Sequence, residues 1–185
     1  MDNRWFSQIK RGLKVTTDYL IMLVLFVVFA LLALSYAEEG TPGAMPMFSF
    51  LIFLVTFYTV YVDMRVMAFK EKRPQYGINP SPLKGFLYGL IGVVLPVILQ
   101  IIVMSLSFPE SLQTLQRRIY QGLGGPLYWF TRIIGNQPYH YILSFVLVIL
   151  IAGIGYYAGY KEFYLVNVLR KKLGIKPKAK KSKRS

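Results

Sequence analysis

Chemistry needs groups that attack, carry protons or hold metals, and this chain offers few of them. It has no cysteine, which excludes thiolate nucleophiles, disulfide exchange and cysteine-based metal sites. His140 is the single histidine, so a multi-histidine metal site cannot be built. As a general base, His140 has no evident partner in the sequence. No Gly-x-Ser-x-Gly elbow, zinc-protease helix, phosphate loop or pair of acids on one helix face is present. These absences point to no catalytic residue, no cofactor, no metal and no enzyme.

Transport would need ionisable groups deep in the apolar segments, where each costs about 3 kcal/mol. Gln100 is the only strongly polar side chain deep in the third such segment, with Ser105 and Ser107 nearer its end. Thr56 and Thr59 lie in the second, and Asp18, Asp63 and Arg65 fall at the edges. Gln100 reads as an interhelical hydrogen bond. With Thr56 and Thr59 it is also the one candidate polar lining for a pore. Small four-helix multidrug exporters carry a carboxylate in their first span. None stands in Tyr19–Tyr36, which argues against proton-coupled export.

The elements that would position these residues are helices in a bilayer. The 185 residues are 55% apolar and carry a net charge of +14, with charge and apolarity segregated along the chain. A membrane core needs about 20 apolar residues of helix. Four segments qualify: 19–36, 45–62, 82–108 and 139–160. The second is expected to stay helical to about Lys72, ahead of Pro74. The third should start with Ser81 as cap and Pro82 in the first turn. The fourth should run on to about Leu173. A signal-peptidase reading of Ser35-Tyr36-Ala37 competes for the first segment, but 18 apolar residues exceed a signal core. Four basic residues precede the first span, five lie in 63–85 and ten follow Tyr160, against three in 109–138 and none in 37–44. The positive-inside rule then places both termini in the cytoplasm. The basic stretch Met67–Gly92 is accounted for as a topology signal. The fold class expected is an all-α integral membrane protein with four transmembrane helices, a domain at 1–173 and a disordered basic tail at 174–185.

Small residues predict the packing. Gly85, Gly89 and Gly92 share a face of the third span, and Gly155 and Gly159 repeat the spacing in the fourth. The expectation is a tight pair between these two spans, with the first span more exposed to lipid. Pro96 should kink the third. In the outer loop, Pro109–Tyr120 reads as a short amphipathic helix, broken by Gly122, Gly124 and Gly125. The aromatic stretch 126–134 is too short to span, so it should sit at headgroup depth or re-enter. Arg117, Arg118, Trp129 and Arg132 could form a lipid-headgroup or partner contact there, against plain interfacial anchoring as the simpler reading. The tail should lie on anionic lipid of the inner leaflet, with a ribosomal RNA contact as the runner-up.

The basic loop followed by Lys84-Gly-Phe-Leu-Tyr-Gly-Leu-Ile-Gly92 resembles small multi-span membrane proteins of Gram-positive bacteria, over about residues 60–100. The resemblance implies a bacterial cytoplasmic membrane and assigns no activity. The function expected is a non-enzymatic accessory or scaffold protein with a membrane protein partner or a homo-oligomeric state, assembling through its glycine faces. An oligomeric pore or small-solute transporter, or a holin-like permeabiliser, is the alternative.

Overall fold

The computed structural model describes residues 4–38, 43–72 and 81–162. Among these the secondary structure is helical, without strands. Six α-helices follow in order: α1 Arg4–Glu38, α2 Ala44–Glu71, α3 Lys84–Ser105, α4 Gln113–Leu123, α5 Tyr128–Ile134 and α6 Pro138–Tyr160. Short 3-10 turns at Glu110–Leu112 and Gly125–Leu127 precede α4 and α5. Helices α1, α2, α3 and α6 are each long and apolar enough to cross a membrane. The chain reads as a multi-pass membrane protein. The segment with Pro74 and Pro80, and the basic tail, lie outside the described residues.

Several boundaries differ from those expected from the sequence. Helix α1 begins at Arg4, well ahead of the apolar run, because residues 4–18 contain no proline to stop it. Helix α3 begins at Lys84 and not at Pro82. Residues 81–83 form a turn closed by the Lys84 amide on the Ser81 carbonyl at 3.1 Å, and no side chain caps the helix. Helix α6 ends at Tyr160, where Lys161 and Glu162 turn back on the Tyr157 and Gly159 carbonyls with Glu162 at a φ of 54°; the continuation expected to about Leu173 falls on residues outside those described. The connection between α3 and α6 carries α4, which begins at Gln113 and not at Pro109. Gly124 terminates it.

Glycines set the close approaches, all within one chain. Gly85 and Gly89 lie against α6, where added Cβ atoms would come within 2.8 Å of the Ala152 carbonyl and 2.9 Å of the Ile149 Cα. The third and fourth spans do pack tightly, but α6 presents Ala152 and Gly153 to this contact. Gly155 and Gly159 face α2 instead, against the backbone of Tyr61 and Arg65. Gly92 faces α1, against Val15. One glycine-rich helix face can serve two neighbours because its residues point over a broad arc.

Pro96 shows how a costly residue is accommodated. Proline has no amide hydrogen, so the carbonyl four residues back loses its helical partner. That carbonyl belongs to Gly92, and it accepts a bond from the Thr16 hydroxyl of α1 at 2.8 Å. The same glycine lets α1 come close enough for the threonine to reach.

Candidate functional site

The most concentrated polar chemistry surrounds Glu71, the last residue of α2. Its side chain is 1% exposed. Arg11 of α1 pairs with Oε1, and the Tyr88 hydroxyl of α3 donates to the same oxygen at 2.8 Å. The Tyr156 hydroxyl of α6 donates to Oε2 at 2.6 Å, and the Lys84 ammonium stands 4.0 Å away. All four long helices thus meet on one carboxylate. The Tyr88 and Tyr156 rings pack edge to face above it, with centroids 5.7 Å apart. A buried carboxylate is tolerable when its oxygens are paired and hydrogen-bonded, and here both are.

Closer to the middle of α1 and α2 lies a second acidic pair. Lys14 bridges Asp63 at 2.7 Å. Asp18 sits beside Asp63, buried, with its Oδ2 lacking a hydrogen-bond partner. The ionisable groups expected at the membrane edge are therefore partly inside the bundle, and Glu71 is not among the residues that the sequence singles out. A signal for it exists all the same. Val60, Met64 and Ala68 form the buried stripe of α2, and continuing at helical spacing reaches Glu71.

No family model, curated protein or solved structure matches this chain.

The opposite end of the bundle is organised around backbone. About 33 Å of helix separates Glu71 from Ser49. There the connection from α3 to α6 folds in against the long helices, and Gly125, Pro126, Leu127 and Thr131 are buried. The Ser49 hydroxyl donates to the Gly125 carbonyl at 2.7 Å and accepts the Trp129 amide at 3.0 Å. The Tyr19 hydroxyl donates to the Leu123 carbonyl at 2.7 Å. Gln100 is fully buried, and its Nε2 donates to the Tyr120 carbonyl at 2.9 Å. Tyr141 of α6 packs edge to face on Tyr120. In the reverse direction, Gln116 of α4 donates to the Val103 and Leu106 carbonyls at the end of α3. The apolar stripe made by Leu112 of the preceding turn and Leu115 and Ile119 of α4 is left facing outward.

The residues singled out in the sequence fall as follows. Gln100 bonds to a backbone carbonyl of the connection, while Thr56 and Thr59 bond within α2, to Ile52 and Val55. Arg117, Arg118, Trp129 and Arg132 do not converge. Arg117 borders a polar groove with Ser105 and Gln113, whereas Arg118 borders an apolar one against α1. Trp129 packs on Phe50 and Phe53, and its indole nitrogen is buried without a partner. Arg132 is exposed. His140 accepts the Gln137 amide on Nδ1 at 3.1 Å, so its ring closes the capping box of α6. Among the described residues, no three His, Asp or Glu side chains gather as a metal site requires.

Proposed function

We propose that this protein is a non-enzymatic accessory or scaffold of a membrane complex, held in a bacterial cytoplasmic membrane with both termini inside. The observation that carries the reading is the Glu71 knot. It ties the start of α1, the end of α2, the start of α3 and the end of α6 into one face. Lys10, Lys70, Lys72 and Lys161 are exposed on those same helix ends. Lys72 is held there by an ion pair with Glu162, and a surface rich in lysine suits an acidic partner or the anionic inner leaflet. The glycine faces are spent inside the chain, so a partner meets the exposed apolar walls and the basic face.

The test is a pull-down from native membranes in polymer nanodiscs at near-endogenous level, with mass spectrometry of what co-purifies. A stoichiometric membrane partner, lost in Glu71→Ala, is the expected result. Isolation as a homo-oligomer alone would overturn it and favour the pore reading, with liposome flux as the next assay. The chain has no native cysteine, so single introduced cysteines report topology cleanly. Lys72→Cys should label with an impermeant maleimide only from the cytoplasmic side, and Gln137→Cys only from the outer side.

A further inference from the structure

Between the second half of α1 and α4 runs a groove of about 440 Å³. One wall is apolar, built from Phe26, Val27, Leu31 and Leu34, and the other carries Arg118 and Gln121. The apolar wall is not covered by protein: Leu31 is 74% exposed and Val27 is 55% exposed. Among the described residues Arg118 forms no ion pair. The neighbouring Arg117 opens onto a different, polar groove on the other side of α4. Two arginines adjacent in sequence thus have opposite surroundings.

The groove is of the size of small-molecule sites, about 300–1,000 Å³. Its two walls ask for different chemistry in one occupant. The α1 wall belongs to a span, so acyl chain is what covers it. The Arg118 guanidinium beside that wall is exposed and open to an anion, and its planar fork matches a phosphate with two parallel hydrogen bonds. Free phosphate would leave the apolar wall bare, and an uncharged apolar helix would leave Arg118 unpaired. We propose that this groove holds one anionic phospholipid, with its phosphate on Arg118 and an acyl chain along Phe26–Leu34 of α1. The site lies at the end of the bundle away from Glu71, so it is distinct from contact between the basic tail and lipid, and it does not depend on the scaffold reading.

The test uses the purified full chain in detergent, titrated with phosphatidylglycerol or phosphatidylcholine and read by native mass spectrometry. The expected result is one phosphatidylglycerol retained in preference to phosphatidylcholine. Arg118→Ala should weaken its retention about fivefold or more, and Arg117→Ala should leave it within about twofold. A second variant separates groove from charge. Gly122 lines the groove, and a Cβ there meets nothing within 4 Å, so Gly122→Leu fills the space without disturbing the fold. It should lose the lipid with Arg118 intact. Equal loss in Arg117→Ala, wild-type retention in Gly122→Leu, or equal competition by phosphatidylcholine would each overturn the proposal.

Discussion

The two ends of the bundle solve one problem in opposite ways. At the basic end, four helices converge on a single side chain, the Glu71 carboxylate. At the aromatic end, α1, α2 and α3 hydrogen-bond to the backbone of one connecting segment through Tyr19, Ser49 and Gln100, and α6 packs Tyr141 against that segment's Tyr120 ring. The first arrangement concentrates its stability in one residue. The second distributes it over several weaker bonds, each satisfying a carbonyl that would otherwise be bare in an apolar setting. Each end is therefore vulnerable in its own way.

Removing the hub should do the most damage. Glu71→Ala strands a guanidinium and two buried hydroxyls, and we expect a loss of about 3–5 kcal/mol in stability. Thermal or SDS unfolding in detergent measures it. Adding Arg11→Met to that background should cost little more, and a full additive penalty would mean the two are not coupled. At the aromatic end Gly125→Val comes next, at about 3 kcal/mol, because any side chain there collides with the Phe26 ring. Ser49→Ala removes a hydroxyl that both donates and accepts, for about 2 kcal/mol. In a Trp5→Phe background the emission of Trp129 should shift to the red as the connection loosens. An unchanged spectrum would mean that the aromatic packing on Phe50 and Phe53 is sufficient. The smallest effect has the opposite sign. Asp18→Asn relieves a buried carboxylate beside Asp63 and should gain about 1 kcal/mol, read as a raised unfolding midpoint.

The spans are legible in the sequence because a long uncharged apolar run suits a bilayer and little else. Helix α6 begins at Pro138, one residue before the expected Tyr139, and α2 ends one residue short of Lys72. Helix–helix pairing is legible only in part. Small residues reveal that a face is crowded but not by which neighbour, so Gly155 and Gly159 pack on α2 where their spacing suggests the third span. The aromatic end is hidden because its bonds end on carbonyls, which every residue has. Glu71 is hidden by its setting in Lys70-Glu71-Lys72-Arg73, where local charge balance suffices to account for an acid. Its true partners stand 60, 17 and 85 residues away.

Those separations also impose an order on biosynthesis. A chain made from its N-terminus delivers Arg11 first, then Glu71, then Tyr88, and Tyr156 only with the last helix. Until α6 arrives, Oε2 lacks its tyrosine. A product truncated after α3 lacks the Tyr156 donor on Oε2, and an unmet acceptor is costly in apolar surroundings. The finished knot is therefore a record of completed insertion: only a chain with its final helix in place closes the carboxylate.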